Sequence, residues 1–287
     1  MKFIPILLTT FFCCRICFAQ ENQVDLNKVI KIPVIFHIIY SDRTHDRRTD
    51  GGNTRENLDS TLILAELRDL QKDFMLLNTD TSQVIPEYKN IIGKANINFV
   101  LADTILQPNG KRGIIRVHNN SNGRNLHEKS KIIDPKRYFN VYIGDIGNFT
   151  PNSPWLSPEK DAVFISYAWV GQGYRLLTHE AGHWCGLFHP WGTGGGKGDR
   201  NSCSIGDEIP DTPPQYEATE PNGDCVICPK AGSKNDKTCD VTKKVPSNFN
   251  NFMDYSGCRR MFTQRQVISL RETLRDHRVI LWNSSSN

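Results

Sequence analysis

Residues 179–189 read His-Glu-Ala-Gly-His-Trp-Cys-Gly-Leu-Phe-His. On a helix, His179 and His183 stand four residues apart on one face, so two imidazole nitrogens can reach one metal ion. Glu180 lies about 100° round the same helix, where a carboxylate can take a proton from water on the metal without being a ligand. Gly186 permits a left-handed turn that ends the helix and lets His189 swing back as third ligand. Three protein nitrogens leave the fourth zinc position open for water, the catalytic arrangement, whereas structural zinc sites close with four protein ligands. The glycine and third histidine lower the chance rate of the shorter His-Glu-x-x-His pattern by roughly 20 × 20, so an amphipathic core helix with incidental histidines is the weaker reading.

Other residues with metal or redox chemistry need a separate reading. Gly-Asp-Glu-Ile-Pro-Asp-Thr-Pro offers Asp207, Asp211 and Thr212 close together, hard oxygen donors that suit calcium; the alternative is that acids and prolines only shape a turn. Cys225-Val-Ile-Cys228 has redox spacing but no thioredoxin-like βαβ setting, so structural bridging is preferred. Residues 192–199, Gly-Thr-Gly-Gly-Gly-Lys-Gly-Asp, do not make a phosphate loop. Gly198 follows Lys197 where Ser or Thr is required, and no strand and helix flank the stretch. His37, within an apolar run, reads as a packed or hydrogen-bonded histidine; His118 and His127 read as solvent-exposed.

Downstream, Met253 stands two residues before Tyr255, and Cys258 and Met-Phe-Thr follow. This combination resembles the methionine turn that lies beneath the zinc in metzincin metallopeptidases. Within that clan the chain is most similar to the pappalysin family. Ile32–Tyr40, Asp73–Asp80, Asn96–Ala102, Gly113–Val117, the histidine motif and Gly206–Gln215 carry the resemblance in order, over residues 31–275. It implies an α+β fold of metzincin type: an upper subdomain with a twisted mixed sheet, a backing helix and an active-site helix, and a lower irregular, disulfide-tied subdomain ending in a helix. It implies an endopeptidase with zinc on His179, His183 and His189, Glu180 as base, Tyr255 stabilising the tetrahedral oxyanion, and Met253 as a structural floor. It also implies calcium, with Asp207 and Thr212 the best matches, and two disulfides: Cys203 with Cys239, and Cys225 or Cys228 with Cys258. Substrate would lie extended between the subdomains, paired with the edge strand.

Length and composition are compatible with this. The 287 residues, 38% hydrophobic and 23% charged, describe an ordinary globular chain. Residues 1–19 combine basic Lys2, an apolar run and small Ala19, and read as a secretory signal cleaved after Ala19; the run is too short and too broken for an anchor. Its removal lowers the formal charge from +4 to +2, so no large field for nucleic acid or acidic membranes is expected. Six of nine cysteines remain, which suits an extracellular, disulfide-bonded protein, and fifteen pairings are open from sequence alone.

The positioning elements follow from periodicity. Residues 20–31 form a short lead-in, residues 32–282 one catalytic domain (upper part 32–189, lower part 190–282), and 283–287 a frayed tail. Strands are expected at 32–40, 96–102, 113–117, 138–144 and 162–167. A helix is expected from Thr54 to about Asn78, with Ile63, Leu67, Leu70, Phe74 and Leu77 on one face. A last helix starts near Thr263, where Gln266 completes a capping box. Cys185, about 140° from the zinc-facing direction, should point into the core.

Protein or peptide is the expected substrate, and a monomer the expected state. The resemblance implies that the segment after the methionine turn lines the primed-side pocket, where relatives that prefer basic side chains carry an acid; none stands in Ser256–Arg260, so a basic side chain after the scissile bond is not expected to be strongly preferred. Rival readings are a secreted binding protein on a peptidase scaffold and a zinc hydrolase acting on non-peptide substrates.

Overall fold

The structure, a computed structural model, describes residues 24–46, 51–104, 111–119, 126–146, 149–150, 158–193, 196–199, 201–219 and 232–284. The expected leader, Cys225, Cys228, the turn at Gln107–Gly110, residues 285–287 of the tail and the side chain of His127 lie outside that set. In chain order the elements are β1 (Ile30–Tyr40), α1 (Ser60–Phe74), α2 (Pro86–Lys89), β2 (Ile92–Gly93), β3 (Ile97–Leu101), β4 (Ile114–His118), α3 (Leu126–Lys129), β5 (Phe139–Gly144), β6 (Val163–Ser166), α4 (Leu176–Trp184), β7 (Phe262–Thr263), α5 (Gln264–His277) and α6 (Val279–Asn283). No described helix is long and apolar enough to cross a membrane.

β1 is the centre of the sheet. It pairs in parallel with β5 on one side and with both β3 and β4 on the other, β3 along its first half and β4 along its second. β6 extends the sheet in parallel beyond β5, and at that edge Phe149 makes an isolated antiparallel bridge to Phe164. Alternate β1 residues Ile30, Ile32, Val34, Phe36 and Ile38 face the main core, which explains its near-continuous apolar run: a central strand is covered on both faces.

α1 is shorter than the periodicity predicts. Asp59 takes extended backbone angles and accepts a hydrogen bond from the Thr61 amide at 2.7 Å, capping the helix six residues later than Thr54. At the other end Leu76 adopts a left-handed φ of 53°, which turns Leu77 out of the stripe to 63% exposure. Ile63, Leu67, Leu70 and Phe74 do face the core. α5 starts as the sequence indicates, with Thr263 and Gln266 in a reciprocal capping box. Its Val267, Leu270 and Leu274 join the same core as the strands, so the upper and lower parts of the chain share one hydrophobic interior. Cys203 and Cys239 are disulfide-bonded across a 36-residue separation, closing a loop whose constraint is worth about 3–4 kcal/mol. Cys258 is disulfide-bonded as well.

His37 lies on the opposite face of β1, stacked on Tyr142 with ring centroids 4.2 Å apart. Its Nδ1 meets the Ser130 hydroxyl at 2.7 Å and its Nε2 the Asn140 side-chain oxygen at 3.0 Å. Burial pushes it down to about 4, against the pull of Asn140. His118 is half-exposed and paired with Asp42 at 2.8 Å. Since folded His37 stays neutral where the unfolded residue is protonated, its contribution is full above pH 6.5 and is lost as pH falls to about 4. Denaturant unfolding at pH 7 and pH 4.5, compared between the wild type and His37→Gln, should show the variant losing less on acidification, by on the order of 3 kcal/mol.

Candidate active site

α4 has no local cap. Arg175, at its start, sits at a left-handed φ of 58° and offers no side-chain cap, so the first helical amides need partners from elsewhere. Glu66 of α1 supplies them, its carboxylate accepting from the Gly171 amide at 2.8 Å and the Leu177 amide at 3.2 Å. Asp73, two turns further along α1, accepts from the Thr178 hydroxyl at 2.7 Å. Arg175 is clamped between Asp69, Asp73 and Asp80 at 3.2 to 3.3 Å. Burial raises the Glu66 carboxyl above its ordinary range and Asp73 to about 7, while Arg175 pulls Asp73 the other way.

The helix so anchored presents His179 and His183, and the chain then turns back. Gly186 has φ of 90°, and a Cβ there would lie 2.6 Å from the Thr273 hydroxyl of α5, so both conformation and space demand glycine. The turn brings His189 in, with its ring stacked on Trp191 at 4.5 Å and 8°. The His183 Nε2 is then 3.1 Å from the His179 Nε2 and 3.0 Å from the His189 Nε2.

Those contacts are not ordinary hydrogen bonds. His179 Nδ1 donates to the Phe252 carbonyl at 2.8 Å, and His183 Nδ1 donates to the Leu187 carbonyl at 2.7 Å. Burial keeps both imidazoles neutral, with His183 pushed down to about 4 and His179 well below its ordinary value. Their single protons are therefore on Nδ1, and the two Nε2 lone pairs face each other. A cation at the centre resolves that repulsion. Zinc with Zn–N bonds of about 2.0–2.1 Å in tetrahedral geometry needs nitrogens about 3.3 Å apart, close to the spacing found. The donor set thus fits zinc, and the carbonyl acceptors are the outer partners that fix a ligating tautomer.

The floor is Met253, fully buried beneath the helix. A Cβ at Gly182 would lie 2.4 Å from its sulfur, so the glycine lets the methionine approach the helix backbone. Asn251 shapes this turn: its side-chain oxygen accepts from the Met253 amide at 2.9 Å and its amide donates to Gln266 at 2.8 Å. Tyr255, 36% exposed, stands at the rim, its ring 5.4 Å from that of His179 and 5.1 Å from that of His189. Glu180 is buried beside them and accepts from the Thr150 hydroxyl at 2.8 Å. Burial pushes its carboxyl up to about 7, against the pull of Thr150 and Arg259.

The remaining expected residues lie elsewhere. Cys185 is free and buried in the core. Asp207 is buried, its carboxylate accepting from the Ile209 amide at 3.0 Å and from Gln266 at 3.3 Å. Asp211 turns its carboxylate to the start of α5, accepting from the Thr263 hydroxyl at 2.6 Å and the Arg265 amide at 2.9 Å. Among the described residues a second group of metal-type side chains, His45, Glu56 and Asp145, is taken up by ion pairs with Arg43 and within itself. Sequence reasoning missed the Phe252 and Leu187 carbonyls, Thr150, Glu66 and the Arg175 clamp. Backbone acceptors leave no sequence signal, and Glu66 looks like any polar residue on an amphipathic helix.

Comparison with known proteins agrees with this geometry. Residues 168–275 match the family model described as pregnancy-associated plasma protein-A, a peptidase family. An extracellular metalloprotease of Coccidioides posadasii is 34% identical over 99 residues, and one of Arthroderma otae 33% over 97, each match covering 32% of this chain. The matches span 27% and 28% of those relatives' own lengths. Mirolysin in complex with a small compound superposes with a TM-score of 0.67 at 28% identity, covering 91% of this chain and 99% of that one. A promirolysin mutant from Tannerella forsythia gives 0.69 at 25% identity, covering 91% of this chain and 87% of that one. Mature mirolysin from the same organism, with a cleaved peptide, gives 0.66 at 25% identity, covering 90% and 99%. The stretch that holds the histidine cluster and its methionine floor is thus similar to that peptidase family, and the chain shares its fold with mirolysin.

Proposed function

We propose that this protein is a secreted zinc endopeptidase. The observation that carries the reading is the cluster of Nε2 atoms in which His183 stands 3.1 Å from His179 and 3.0 Å from His189, next to a buried carboxylate that is not part of it. When bound, zinc would polarise the scissile carbonyl and acidify water in its open position. His179, His183 and His189 would hold it. Glu180, whose burial raises its basicity, would accept the proton of the attacking water and deliver it to the leaving amine. Thr150 holds one Glu180 oxygen and so aims the other. Tyr255, at the rim beside the histidines, donates to the oxyanion as the carbonyl carbon becomes tetrahedral. Peptide substrate is supported by the mirolysin structure that holds a cleaved peptide, and secretion by the two extracellular relatives.

Calcium belongs to the same proposal. Asp207 is buried and pushed up to about 7 by that burial, against the pull of the Ile209 amide and of the buried Thr212 hydroxyl beside it. A divalent ion would satisfy both; Asp211 acts instead on α5. The domain limits read from the sequence and a monomeric state are part of the same proposal.

Three measurements test this. Casein or gelatin hydrolysis should disappear on chelation and return with zinc. It should fall by at least about 10³-fold in Glu180→Ala with zinc still bound, and by roughly 10²-fold in Tyr255→Phe. Glycan and ester probes should remain uncut, and an inactive wild type at full zinc occupancy would favour a binding protein. Gly186→Ala should lower stability by about 1–3 kcal/mol in thermal unfolding and should release zinc faster to a chelator, because the strain falls on the turn that delivers His189. Asp207→Ala should abolish any rise in Tm that calcium gives the wild type.

A further inference from the structure

The histidine motif ends at His189, and the next three residues close a tight turn. Pro190 presets its first inner position, and the Gly192 amide donates to the His189 carbonyl at 2.7 Å, so Trp191 comes back against the ring two residues before it. Its indole is fully buried. The His189 imidazole lies flat on it, with centroids 4.5 Å apart and planes within 8°.

Tyr255 stands at right angles to that stack. Its ring is 5.1 Å from Trp191 with the planes 80° apart, and 5.1 Å from His189 with the planes 82° apart. Gly196 lies against the same tyrosine: a Cβ there would be 3.3 Å from the ring carbon Cε2. The Gly196 carbonyl accepts from the Ala218 amide at 2.7 Å, which fixes that approach. Tyr255 thus reaches the rim with its ring set among His179, His189, Trp191 and Gly196, and those contacts limit where its hydroxyl can stand.

We propose that Trp191 is a positioning residue for the reaction: one buried indole fixes both the ring plane of the third histidine and the angle of the tyrosine. The proposal rests on the peptidase reading above. An imidazole whose Nε2 is committed to a cation becomes electron-poor, and the negative face of an indole attracts such a ring more than a free one. The stacked contact therefore favours the ligating state of His189. The perpendicular contact holds the Tyr255 ring in place before charge develops on the carbonyl oxygen, so its donor needs no reorganisation during the reaction. Metal retention and oxyanion stabilisation then depend on the same side chain. The motif stops two residues short of Trp191, so motif reading passes it over.

The test compares Trp191→Leu and Trp191→Phe with Ile115→Ala, a core change in the separate cluster of Ile35 and Ala102. Zinc release to a chromogenic chelator should be about tenfold faster in Trp191→Leu than in Ile115→Ala, with Trp191→Phe between Trp191→Leu and the wild type. Cobalt in place of zinc should show altered visible bands in Trp191→Leu and wild-type bands in Ile115→Ala. At saturating zinc, Trp191→Leu should lower kcat by about tenfold with KM within about twofold. In a Tyr255→Phe background the same change should lower kcat by no more than about threefold. Release no faster than in Ile115→Ala, or an equal kcat loss in both backgrounds, overturns the proposal. If Trp191→Leu does not fold, Trp191→Phe set against Ile115→Ala decides by the same signs. Fast release in Trp191→Leu with no peptide cleavage by the wild type would remove the peptidase reading and keep the hold on His189. Cleavage by the wild type, with release and kcat unchanged in Trp191→Leu, would remove the role of Trp191 and keep the peptidase.

Discussion

Two neutral imidazoles hold their lone pairs about 3 Å apart because each is pinned by a backbone carbonyl on the far side of the ring. Between the rings themselves the contact is repulsive until a cation occupies the centre. The carbonyls do two things at once. They fix the proton on Nδ1, and they hold the rings so that the nitrogens converge. One comes from Leu187, in the turn made by the motif itself, and the other from Phe252, far along the chain beside the methionine. The pocket is consequently assembled only when the lower part of the chain has docked beneath the helix. A metal that binds this arrangement and not the unfolded chain stabilises the docked state by its own binding free energy.

A second layer of polar contacts keeps the helix from moving under that load. α4 begins at a left-handed residue without a cap, yet its first amides meet the Glu66 carboxylate of α1, and Thr178 meets Asp73. Burying carboxylates is unfavourable, and both groups are raised above their ordinary range accordingly. Such contacts are retained where position matters more than stability. Here they set the axis and rotation of the helix that carries two histidines and Glu180. Arg175 belongs to the same clamp, held by Asp69, Asp73 and Asp80.

Gln266 ties the third side together. From the first turn of α5 its side chain reaches the Thr263 amide, Asn251 and Asp207, and Asn251 in turn shapes the methionine turn. α5 also contributes Thr273, against which Gly186 packs. The last long helix therefore supports both the floor of the site and the turn that returns His189. That is the physical reason the lower part of the chain shares a core with the sheet rather than forming a separate unit.

What the sequence by itself determined is local. The spacing of His179, Glu180 and His183 on a helix, the glycine at 186, the Thr263 and Gln266 cap and the apolar central strand are all written in neighbouring residues, because helix and strand periods convert short spacings into faces. Local reading also overran: α1 was expected to start at Thr54, but a single capping side chain, Asp59, decides its beginning. Only the tertiary structure decided which groups from distant segments meet. The Phe252 carbonyl on His179, Glu66 on the start of α4, Thr150 on Glu180, and Arg259 and Arg260 facing Arg175 and Asp80 are contacts between segments tens to more than a hundred residues apart. A carbonyl has no residue identity, and a buried carboxylate has the same letter as a solvated one. Their roles follow from burial and direction, which exist only once the chain has closed on itself.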